Sequence, residues 1–79
     1  MGEYIATFHT HLSALLSSRA LTGAGLEAQM APVPRALSSS CGTCVHYWAA
    51  SPRLELLDED MEAVWAVEGG NYALLYENQ

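Results

Sequence analysis

The sequence predicts an α+β domain: a ferredoxin-like split β-α-β sandwich, with a four-stranded antiparallel sheet carrying two helices on one face. Three observations lead there. Segments with strand character and segments with helical spacing follow one another in the order β-α-β-β-α-β. Glycines and prolines separate most of them. And 79 residues leave room for one domain, 1–79, which buries only about 60% of its unfolded surface.

The first strand is "EYIATF" (3–8), rich in β-branched and aromatic residues. Thr10 can cap a helix through "HLSALLSSRALTGA" (11–24), which Gly23 and Gly25 stop. Its apolar positions form no single stripe. Leu12, Leu15 and Leu16 share one arc, with Ala14 and Leu21 nearly opposite, so either two sides make contact or Leu12 and Leu16 are exposed. "LEAQMAPV" (26–33) alternates as a half-buried strand and ends at Pro32 and Pro34, which cannot donate to a ladder. "CVHYWA" (44–49) is the third strand, with Val45 and Tyr47 on one face and Cys44, His46 and Trp48 on the other. A second helix is expected, starting either at Pro52 with Ser51 as cap or, preferably, with Asp58 as cap, because Asp58, Glu59, Asp60 and Glu62 crowd negative charge where a helix dipole favours it. Met61, Val64 and Trp65 would be its buried stripe, Gly69-Gly70 its stop, and "NYALLYE" (71–77) the last strand, in sheet order 4-1-3-2.

Composition excludes several functions. The net charge is −6, lysine is absent, and three arginines cannot build the basic stripe that a phosphate backbone requires. Neither nucleic acid nor an anionic membrane surface is expected as a partner. No apolar run reaches the roughly 20 residues of a membrane span, and "MGEYIATFHT" lacks the basic start and long apolar core of a signal peptide. A cytoplasmic location is expected, where thiols stay reduced. Hydrophobic residues make up 51% of the chain and charged ones 15%, which favours a homodimer that covers apolar surface. Trp48 and His46 on the open sheet face are the candidate dimer or partner surface.

Chemistry concentrates in "PVPRALSSSCGTC" (32–44), which holds both cysteines. In the predicted topology the end of strand one, the start of helix one, the connection between strands two and three and the start of strand four share an edge. His9, Thr10 and His11 therefore meet Ser38 to Cys44 and Gly69 to Asn71. There the helix N-terminus would face Cys41, the candidate nucleophile, since helix N-termini and cations favour the reactive thiolate. Arg35 is an anion anchor or a solvated charge. Ser38, Ser39, Ser40 and Thr10 offer hydroxyls for an anionic adduct, and Gly42 leaves room for a donor's sulfur. Cys44 is either a resolving thiol in a Cys-x-x-Cys pair or a small residue on the open sheet face. His9 is a candidate hydrogen-bond partner tuning Cys41. Two histidines and two cysteines are ligand types that suit zinc, but their spacing matches no finger, and neither metal nor cofactor is predicted.

With those residues set out, the chain resembles a family of small prokaryotic domains described as selenium/sulfur-carrier-like. The resemblance rests on Thr7-Phe8 ending the first strand, on Ala24-Gly25 closing the helix, and on Pro32-Val33-Pro34-Arg35 followed by Ser38, Ser39, Ser40, Cys41 and Gly42. It covers residues 3–48 closely and the remainder loosely. Two departures stand out: Cys44 replaces a small aliphatic residue, and the first helix lacks lysines and glutamates. The resemblance implies a carrier or accessory protein rather than a stand-alone enzyme. Cys41 would take sulfur or selenium from a donor protein and pass it to an acceptor. The alternatives are a non-catalytic binding or oligomerisation module and a Cys-x-x-Cys redox or metal sensor.

Overall fold

Five antiparallel strands and one α-helix form the protein, in a computed structural model that describes residues 1–78. The elements are β1 (Gly2–Phe8), α1 (His11–Gly23), β2 (Glu27–Pro32), β3 (Thr43–Ala49), a 3-10 turn (Leu54–Leu56), β4 (Met61–Glu68) and β5 (Asn71–Glu77). The strands lie in the order β2-β3-β1-β4-β5. No helix among the described residues is long and apolar enough to cross a membrane.

The first half of the chain follows the expected plan. Thr10 caps α1, its hydroxyl accepting from the Ser13 amide at 3.1 Å. At the other end Gly25, at φ 85°, turns the chain so that its amide donates to the Thr22 carbonyl and the Leu26 amide to the Leu21 carbonyl, a Schellman closure. The buried stripe of the helix is Ser13, Ala14, Ser17 and Leu21, mostly small residues that let α1 sit low on the sheet. Leu12 and Leu16 are exposed.

β-strand alternation divides the sheet into two faces. Tyr4, Ala6 and Phe8 of β1, Val45, Tyr47 and Ala49 of β3 and Val64 of β4 pack with Ala14 and Leu21 under the helix. On the opposite face Ile5, Cys44 and Leu37 form a second buried cluster with Ala31, Val33, Trp65, Val67 and Tyr72. That face is therefore not open. The β2–β3 connection folds across part of it, with Leu37 as its lid; a turn bonds the Leu37 amide to the Pro34 carbonyl at 3.0 Å.

The expected second helix is not formed, and the sheet has five strands rather than four. Residues 61–68 are a strand paired to β1 on one side and β5 on the other. The reason lies in a β-bulge. Thr7 pairs with Ala63 and Phe8 with Met61, which leaves Glu62 as the extra residue on β4. The bulge shifts the face parity by one, so Met61 and Val64, three apart, both reach the helix side, as they would on a helix. Trp65 goes to the other face. Residues 61–68 take the side of β1 that the expected last strand would have occupied, and that last strand pairs with them instead, so both add to the hydrogen-bonded ladder.

The acidic run that suggested a helix start serves α1 instead. The Asp60 carboxylate lies 3.0 Å from the Ser13 hydroxyl and 3.3 Å from that of Thr10, at the positive end of α1. The Asp58 amide donates to Ser17 Oγ at 2.8 Å. Gly69-Gly70 turns a hairpin beside the Gly2 end of β1, away from Phe8, so Gly69 to Asn71 do not join His9 and Thr10.

Candidate functional site

At the Phe8 end of the sheet, four segments converge: the β1–α1 turn, the loop 38–42, the start of β3 and the bulge of β4. Ser39 Oγ donates to the Phe8 carbonyl at 2.8 Å. Ser40 is held twice by Glu62, through its amide at 3.1 Å and its hydroxyl at 2.8 Å. His9 Nδ1 lies 3.3 Å from Glu62 Oε2 and 3.4 Å from Ser40 Oγ, while His11 Nδ1 reaches Thr43 Oγ1 at 3.4 Å. Burial opposes ionisation of Glu62, but the Ser40 hydroxyl and amide and the nearby His9 outweigh it and hold the carboxyl below the ordinary range.

Cys41 follows Ser40 in this loop and is half-buried, its sulfur bonded to neither His9 nor Glu62. Its Sγ is 3.3 Å from the Phe8 carbonyl and 3.6 Å from that of Thr43, oxygens that accept the thiol proton, and 3.9 Å from Ser39 Oγ. It packs against the helix-side core. Gly42, at φ 74° with open space around its α-carbon, turns the chain from this loop into β3.

Cys44 is 1% exposed and lies in the cluster on the other face, under Leu37, with Sγ 3.7 Å from the Pro32 carbonyl. Burial, with a smaller contribution from Cys41, pushes its thiol pKa up. The two sulfurs thus belong to apolar clusters on opposite faces of one sheet.

The other expected site residues are scattered in role. Thr10 is engaged with its own helix and Asp60. Arg35 is exposed, with no ion pair or hydrogen bond among the described residues. Ser38 is exposed and lines a cleft of about 230 Å³ with Thr7, His9, Glu62, Trp65 and Asn78; Cys41 is not in its walls. No group of three or more histidines, cysteines and carboxylates with the arrangement of a metal site occurs among the described residues. Trp48 and His46 stack, ring centroids 4.7 Å apart, and His46 Nε2 is bound to the Glu3 carboxylate.

Glu62 was legible only as one of four helix-capping acids. The signal that singles it out is its place between Met61 and Ala63, where a charged residue interrupts an otherwise apolar strand.

Residues 3–64, from β1 through the cysteine loop into β4, match the family described as "Putative Se/S carrier protein-like". The chain belongs to that family. The matched span includes Cys41, Cys44, His9 and Glu62. The chain is also similar to a protein of Escherichia coli (strain K12) described as "Uncharacterized protein YtiA", at 29% identity over 69 residues, covering 87% of this chain and 72% of that protein. No solved structure matches. Family membership thus agrees with the resemblance read from the Pro-Val-Pro-Arg…Cys-Gly run.

Proposed function

We propose that the protein carries sulfane sulfur or selenium as a covalent adduct on Cys41, between a donor and an acceptor protein. The observation that supports this best is the contrast between its thiols: Cys41 is partly open to solvent in a polar loop, whereas Cys44 is buried. Both lie within the residues matching the carrier family.

Loading is a thiol exchange. The thiol proton, now donated to a backbone carbonyl, leaves to solvent, and the side chain turns outward as a thiolate. It attacks the terminal sulfur of a donor persulfide. A new S–S bond forms at Cys41, the donor's S–S bond breaks, and its electron pair leaves on the donor thiolate, which takes up a proton. The same step on a selenopersulfide moves selenium. Delivery is the reverse attack, by an acceptor thiolate on the terminal atom. No net oxidant is needed, because the transferred atom arrives already at the sulfane level. Cys44 has no part in this chemistry in our reading, since it is sealed under Leu37 and burial holds its thiol protonated.

Incubation with a small-molecule persulfide followed by intact-mass and peptide analysis tests the reading. Wild type gains one sulfur on Cys41, Cys44→Ala still loads, and Cys41→Ser does not. Equal loading of Cys41→Ser, or a wild type that stays unmodified beside a thiol that loads, overturns it.

A further inference from the structure

We infer that Glu62 is a positioning residue for the Cys41 loop, acting through Ser40 as a latch that sets how far the thiol is presented. The inference rests on the carrier reading for its purpose but not for its geometry. Four observations lead to it. Glu62 is the extra residue of a bulge, a device that re-aims one side chain out of the pattern of its strand. The bulge is held by Asn78: its amide donates to the Glu62 carbonyl at 2.8 Å, and its Nδ2 to the carbonyls of Met61 and Glu59 at 3.1 and 3.2 Å. The aimed carboxylate takes both donors of Ser40, the residue before Cys41, in two charge-assisted bonds. And it makes the two bonds that tie Ser40 to β4, the loop's other ties being Ser39 and Cys41 on the Phe8 carbonyl, Ser40 Oγ beside His9 Nδ1, and the Gly42 carbonyl accepting from the Val33 amide.

With the latch closed, Sγ rests against the Phe8 carbonyl. Releasing Ser40 frees the loop to open locally, which exposes the thiol more often but no longer holds it in one place. A small reagent that needs only access therefore reacts faster. A persulfide transfer that needs three atoms in line reacts more slowly.

The two cysteines make the test self-controlled, because Cys44 reports global opening of the same molecule. Rates of iodoacetamide modification at each cysteine are measured by peptide mass in wild type, Glu62→Gln, Glu62→Ala, Ser40→Ala and the double variant Ser40→Ala/Glu62→Ala. Glu62→Ala raises the Cys41 rate on the order of tenfold, as loss of two hydrogen bonds to a charged group implies. That rate depends little on sub-denaturing urea, as expected of a local opening, while the Cys44 rate follows the variant's global stability and its steep urea dependence. Glu62→Gln, which keeps one acceptor for the Ser40 amide, gives an intermediate rate. The double variant is no faster than Glu62→Ala alone, because both changes open the same latch. Unchanged Cys41 rates overturn the inference, as do a Cys41 rate that takes on the steep urea dependence of Cys44 or effects that add in the double variant. None of these readouts requires persulfide chemistry. A wild type that fails to load sulfur would remove the carrier reading and leave the latch standing or falling on the alkylation rates alone.

Discussion

Cys41 and Cys44 are three positions apart in the chain and live in different parts of the molecule. One sits where a loop meets backbone carbonyls and a latching carboxylate at the rim of the sheet. The other is buried with Ile5 and Leu37 in an apolar cluster on the opposite face of the sheet. A glycine at φ 74° and the start of a strand are all that separate them. Proximity in sequence therefore says little about shared chemistry: the turn at Gly42 and strand alternation assign one sulfur to each side. The comparison also shows how the β2–β3 connection has two jobs, with Leu37 closing the core and Ser39 to Cys41 building the site.

The strongest way to break the contrast is to remove the lid. Leu37→Ala deletes a side chain only 9% exposed and should cost about 2–3 kcal/mol, at the low end for a core leucine because part of the site can fill with water. It should also make Cys44 alkylate under native conditions much faster than in wild type, where the residue is only 1% exposed. Denaturant melts and thiol labelling read both, and a stable variant with Cys44 still protected would show that Leu37 is not what seals it.

Weakening the rim instead of the lid should cost less. Thr10→Ala removes the cap of α1 and should lower stability by about 1 kcal/mol. Asp60→Asn keeps a hydrogen-bonding partner for Ser13 but removes the charge at the helix end, for about 0.5 kcal/mol. If Asp60→Asn proves as costly as Thr10→Ala, the carboxylate contributes more than its charge at the dipole.

Acid sharpens the rim side of the comparison. Glu62 is held below the ordinary carboxyl range, so its contribution to stability is complete above the unfolded value of about 4.3 and is lost as the pH falls through its lower folded value. The stability gap between wild type and Glu62→Gln should therefore shrink below about pH 4. A gap that does not change down to that range would mean that the ionised form is not what binds Ser40 and His9.

Alkali acts on the other side with the smallest effect. The folded thiol of Cys44 titrates above its unfolded value, so it favours folding below about pH 8.5 and loses that contribution as the pH rises further and the unfolded chain ionises first. Cys44→Ala should flatten this alkaline slope in melts followed from about pH 8 to about pH 10.

Much of this arrangement was readable from the residues. The cap at Thr10, the stop at Gly25, the strands on either side of the proline-serine connection and the division of residues 44–49 between two faces all depend on neighbours a few positions away. Turn stereochemistry, side-chain capping and the two-residue repeat are local rules, so local reading suffices. It was equally enough to place Cys41 in a loop beside the β1–α1 turn. Three features were beyond that reach. Met61, Val64 and Trp65 carry a spacing that suits a helix, and only the bulge at Glu62, created by pairing with Phe8 more than fifty residues earlier, makes them a strand. Asp60 reads as a cap for the segment after it, yet its charge is used by α1. Glu62 acquires its bond to Ser40 because two distant segments meet at one rim. Each depends on which partner fills the vacant edge of β1, a choice settled by backbone hydrogen bonding across the folded sheet and recorded in no short stretch of the chain.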